Sequence, residues 1–99
     1  MKRETLERMV TNQLSDQQFP VRFESGPWPG MGFGLGLGVQ VDNVPKVGWP
    51  AGVFGWIGVS GAIAWVYPEE ELIVLVMPQS FFYWDASDNI RKLAYRTLV

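Results

Sequence analysis

Three groups of residues in this chain have types and spacings that could support chemistry: a carboxylate run, a serine in a glycine-rich turn and a set of large aromatic rings. Glu69, Glu70 and Glu71 follow Pro68 directly. Carboxylates do acid–base work when two of them converge on one bond, whereas three adjacent acids at a turn point different ways. The run is therefore expected to keep a hairpin turn solvated. Ser60, in Gly58-Val59-Ser60-Gly61-Ala62, falls one residue short of the G-x-S-x-G elbow, because Ala62 stands where the last Gly belongs. No His occurs, which removes a Ser-His-Asp triad within this chain together with the commonest general base and zinc ligand. No Cys occurs either, so a disulfide, a thiolate nucleophile and a thiolate metal site are excluded. No metal or other cofactor is implied. Trp28, Trp49, Trp56, Trp65 and Trp84, with Phe81, Phe82 and Tyr83, could form a platform for a sugar or acyl group. Large rings are also the main way a small fold obtains buried area, and a core or interface role is the expectation.

The elements that would carry these residues follow from periodicity. Leu6, Met9, Val10 and Leu14 recur at helical spacing, and Glu4 and Arg8 are set for an i,i+4 pair, so an amphipathic N-terminal helix is predicted. Ser15 to Pro29 reads as a loop, given Pro20, Gly26, Pro27 and Pro29. Between Gly30 and Val39, Gly alternates with Met31, Phe33, Leu35, Leu37 and Val39, a period of two that predicts one strand with a bulky face and a bare face. No G-x-G-x-x-G spacing and no following helix support a phosphate-binding loop there. After a turn at Asp42, Asn43 and Pro45, the runs Val53 to Ile57, Ala62 to Tyr67 and Leu72 to Met77 are joined by hairpin-length connections, which predicts an antiparallel meander. Leu72 to Met77 is apolar throughout and reads as a central strand covered on both faces. A C-terminal helix is predicted with Asp85 or Ser87 as N-cap and Ile90, Leu93, Ala94 and Leu98 on one face.

Composition narrows the function classes. Ninety-nine residues, 47% of them hydrophobic, suffice for one domain with one core. A net charge of −2 with scattered Lys and Arg leaves no footprint for nucleic acid. Val47 to Pro68 is uncharged, but Gly48, Pro50, Gly52, Gly55, Gly58 and Gly61 punctuate it as strands and turns, so no membrane span is expected. Met1 to Val10 has charged residues and no apolar core of a secretory signal, which predicts a cytosolic chain as written.

Four stretches in order carry a family resemblance: Phe33-Gly34-Leu35-Gly36-Leu37-Gly38-Val39, Phe54-Gly55-Trp56-Ile57-Gly58-Val59-Ser60-Gly61, Trp65-Val66-Tyr67-Pro68-Glu69-Glu70 and Val74-Leu75-Val76-Met77-Pro78-Gln79. Together with Met9-Val10-Thr11-Asn12-Gln13-Leu14, this order resembles the C-terminal quarter of the beta-lactamase-related serine hydrolases, closest to the bacterial class C beta-lactamase-like and penicillin-binding-protein-like esterases. The third active-site motif of that family is K-T-G, H-x-G or W-x-G on a strand lining the cleft, and Trp56-Ile57-Gly58 matches the last form. By this resemblance, the backbone N–H of Val59 would be an oxyanion-hole donor, with Trp56 and Gly58 forming the wall beside it. The family acylates a Ser in S-x-x-K with help from Y-x-N or Y-x-S, and neither pattern occurs here.

The expected fold is α+β: residues 1–99 as a single partial domain, an antiparallel sheet of about four strands with the N- and C-terminal helices packed on it. The expected function is that of a truncated or split hydrolase, inactive alone; a non-catalytic module for an acyl, peptide or glycan ligand and a purely structural unit are the alternatives. Leftover apolar strand surface predicts a homodimer, or a complex with a complementary N-terminal half, burying more than about 1,000 Å².

Overall fold

A computed structural model describes residues 1–81 and 84–98. The chain is α+β, with helices α1 (Arg3–Met9) and α2 (Asp85–Leu98) and strands β1 (Arg22–Phe23), β2 (Gly26–Pro27), β3 (Met31–Phe33), β4 (Gly38–Gln40), β5 (Phe54–Ile57), β6 (Ile63–Tyr67) and β7 (Leu72–Val76). The strands form a two-stranded sheet, β1-β2, and a five-stranded sheet in the order β3-β4-β5-β6-β7. Two compact units divide the chain, Met1–Phe54 and Gly55–Val99.

The first unit corrects three expectations. The glycine-alternating run is a hairpin of two strands, β3 and β4, with Met31 opposite Gln40 and Phe33 opposite Gly38. The alternation continues through the turn, where Gly36 takes φ +87° and the Gly34 N–H donates to Leu37 O at 2.7 Å, so period alone could not show the reversal. The loop Ser15 to Pro29 contains the small β1-β2 hairpin. No residue of α1 is buried, and Glu4 and Arg8 form no ion pair among the described residues, so α1 does not cover a sheet as expected. Its last turn instead meets the β3–β4 turn: Leu35 N–H donates to Met9 O at 3.0 Å, and Asn12 Oδ1 accepts from Phe33 N–H and Leu14 N–H at 3.1 Å each. Met31, Val39, Trp49 and Val53 form the core of this unit.

The second unit is a hairpin covered on one side by a helix. β6 and β7 pair antiparallel with Trp65 opposite Val74, and Ile63, Trp65, Tyr67 and Val74 are buried on the face toward α2. Burying rings such as Trp65 contributes about 1.5–3 kcal/mol each. The opposite face holds Ala64 across from Leu75 and Val66 across from Ile73. Ile73 is 65% and Leu75 60% exposed, and Met77 beyond them is 80% exposed. Thus β7 is an edge strand open on one face, not a central strand covered on both.

The C-terminal helix begins at Asp85, with the Asp88 N–H donating to Trp84 O at 2.8 Å. Ser87 does not cap it; its hydroxyl donates to Gly61 O at 2.8 Å. The helix also turns the other way from the apolar pattern. Ser87 and Arg91 are buried, whereas Ile90, Leu93 and Leu98 are 49%, 62% and 56% exposed. The inward placement of Arg91 is explained by its partners: its guanidinium donates to Tyr67 Oη at 2.7 Å and to Asp88 Oδ1 at 2.8 and 2.9 Å. A buried guanidinium is tolerable only when paired and hydrogen-bonded in this way. Tyr67 also stacks on Tyr95 with ring centroids 5.1 Å apart.

Candidate functional site

The turn that follows β5 carries the residues singled out by the W-x-G pattern. Gly55, just before the pattern, is buried with φ +153°, and a Cβ there would collide with the carbonyl oxygen of Ala64. Only glycine lets β5 run this close to the neighbouring backbone. Trp56 and Gly58 are half-buried, and Val59 is 50% exposed.

Five hydrogen bonds hold the turn. The Gly58 N–H donates to Ala62 O at 2.8 Å and the Gly61 N–H to Gly58 O at 3.1 Å, closing a tight reversal with Val59 and Ser60 at its two central positions. The Trp84 indole N–H donates to the same Gly58 O at 2.8 Å. Ser80 N–H donates to Ser60 O at 3.0 Å, and Ser87 Oγ–H to Gly61 O at 2.8 Å. The carbonyls at 58, 60 and 61 are thereby fixed from three later positions in the chain. The Val59 N–H lies outside the strand ladder and reaches no acceptor among the described residues. A rigid turn that leaves one amide donor unspent is able to bind an oxygen with partial or full negative charge.

Gly58 differs from Gly55. A Cβ at Gly58 would meet Ala62 Cβ at 3.7 Å and Ser60 Oγ at 3.9 Å, ordinary contact distances, so the fold of this chain does not itself require a bare residue there.

The remaining sequence candidates are not brought to this turn as reactive groups. Ser60 Oγ forms no hydrogen bond to a base among the described residues. Glu69, Glu70 and Glu71 occupy the β6–β7 turn, Glu71 with φ +50°, as a solvated connection. The aromatic residues serve several places: Trp28 packs on Phe23 and Trp49 with ring centroids 5.8 and 5.5 Å apart, Trp65 is buried, and Trp84 anchors the turn. Phe82 and Tyr83 lie outside the described residues. Trp84, Ser80 and Ser87, which fix the site, carry no sequence signal of that role, since nothing in their spacing links them to residues some twenty positions or more earlier. Among the described residues no group of three or more carboxylates is placed to hold a metal ion, and no helix is long and apolar enough to cross a membrane. No family model matches the chain, and no curated protein matches it significantly.

Proposed function

We propose that this chain is the cleft-wall part of a beta-lactamase-like serine hydrolase, a C-terminal or split half in which Val59 N–H stabilises an oxyanion beside the wall formed by Trp56 and Gly58. The observation that carries this reading is the five-bond turn with its unspent Val59 N–H. One prepositioned backbone donor at a developing oxyanion is worth about 3–4 kcal/mol, because its dipole needs no reorientation during reaction. That stabilisation acts on the acyl oxygen as it takes up charge during attack by a serine supplied by a complementary half carrying S-x-x-K, since the chain has no such motif of its own. The sheet face left open at Ile73 and Leu75 is consistent with a domain completed by further segments.

Two results test the reading on the chain alone. Titration with phenylacetate, a short acyl carboxylate, shifts the Val59 amide in an ¹⁵N spectrum while Gly58 and Gly61, whose N–H groups are already bonded, move little. No chromogenic beta-lactam or aryl ester is turned over above background. An unshifted Val59 amide, or burst kinetics with an acyl adduct on Ser60, contradicts the proposal.

A further inference from the structure

We propose that the outward face of α2 pairs antiparallel with α2 of a second copy of this chain. The pairing rests on the helix alone and is independent of the hydrolase reading. Ala86, Ile90, Leu93 and Thr97 recur at i, i+4, i+7 and i+11, one stripe about 16 Å long at helical rise. Ile90 and Leu93 at its centre are 49% and 62% exposed, because Arg91 and Ser87 take the inward face. The open sheet face of β7 is as apolar, but it carries no charge that would say what covers it.

Charge selects both the occupant and its direction. Asp85 at the N-terminal end and Arg96 at the C-terminal end lie on the same flank of the stripe, and neither forms an ion pair among the described residues. In an antiparallel pair related by a two-fold axis, like flanks meet in opposite order. Centring the axis between positions 91 and 92 sets Ile90 against Leu93 of the second copy, and Ala86 against its Thr97. Arg96 of the second copy then falls about 3 Å along the helix axis from Asp85, giving two symmetric ion pairs. The helix dipoles also oppose each other favourably. A parallel pair would set this flank against the opposite flank of the second copy and form neither ion pair. Lys92, the other base on this flank, is held back by Asp88 at 2.7 Å. About three turns of helix bury well below the roughly 1,000 Å² of a durable interface, so the pair is a weak one that forms with concentration.

The test is sedimentation equilibrium of the whole chain from micromolar to about 1 mM, the range in which interfaces of this size associate. The expected mass rises from the 11.2 kDa of one chain toward twice that value. Leu93→Glu, at an exposed position, keeps the chain monomeric throughout. Asp85→Lys and Arg96→Glu each raise Kd roughly three- to tenfold, the range expected for losing two exposed ion pairs. Mixing these two single variants, or combining them in one chain, restores pairing, and this rescue decides the matter should Leu93→Glu unfold. A chain monomeric at every concentration, a dimer indifferent to Leu93→Glu in a folded variant, or charge swaps without rescue overturns the proposal. So does association abolished by Leu75→Glu in place of the α2 variants.

Discussion

Gly55 and Gly58 stand three residues apart yet answer to different demands. Gly55 is required by the backbone itself, through its φ of +153° and the Ala64 carbonyl against its α-carbon. Gly55→Ala is expected to destabilise by about 3 kcal/mol, combining backbone strain with a steric contact that cannot relax. Gly58→Ala should change stability by less than about 1 kcal/mol, since its new methyl meets only ordinary contacts. Chemical denaturation of the two variants measures the contrast, and equal losses would show that Gly58 too is structural. Tyr67 gives a second prediction. Burial raises its pKa above the ordinary 10.0, with the neighbouring Arg91 acting in the opposite direction. Because the folded state holds this proton more tightly than the unfolded state, stability is fully present below pH 10 and falls as pH rises beyond it. Tyr67→Phe should flatten that alkaline fall, while costing about 1–3 kcal/mol at neutral pH because Arg91 loses a buried acceptor. An unchanged alkaline slope in the variant would assign the fall to another group.

The β6–β7 hairpin was legible in the sequence to within one residue at each end, because apolar runs were bounded by Gly61 and by Pro68 with three acids. The β3–β4 hairpin was not, since glycine alternation looks the same along a strand and through a tight turn whose φ values only glycine supplies. The direction of α2 was hidden for a different reason. Hydrophobic periodicity sends Ile90 and Leu93 inward, but the buried Tyr67 hydroxyl and Asp88 satisfy Arg91 and make the polar face the inner one. In the candidate site, the Trp56-Ile57-Gly58 spacing could be read directly, while its anchors Ser80, Trp84 and Ser87 depend on tertiary contacts. Trp84→Phe should accordingly loosen the turn without unfolding the unit. The expected readout is faster hydrogen exchange at the Gly58 and Gly61 amides, with little change in the amides of β6. Unchanged exchange at 58 and 61 would mean that the indole bond does not hold the turn.

In the second unit, buried residues sit beside apolar faces that are exposed among the described residues: one face of β7 and the outer stripe of α2. The proposed function requires a second polypeptide, because the nucleophile it invokes is not in this chain's sequence. The most direct test supplies that polypeptide, by co-expressing the chain with an N-terminal segment of a class C beta-lactamase-like esterase that carries S-x-x-K and Y-x-N or Y-x-S. Fluorescent penicillin labelling, read by mass spectrometry, measures acylation of the segment's serine. An acyl-serine adduct is expected to form only when both polypeptides are present. Its rate of formation should be at least about a hundredfold lower with Val59→Pro, which deletes the amide donor at a turn position that suits proline. No adduct in the presence of this chain, or an adduct formed as fast with Val59→Pro, would contradict a role for Val59 in an oxyanion hole.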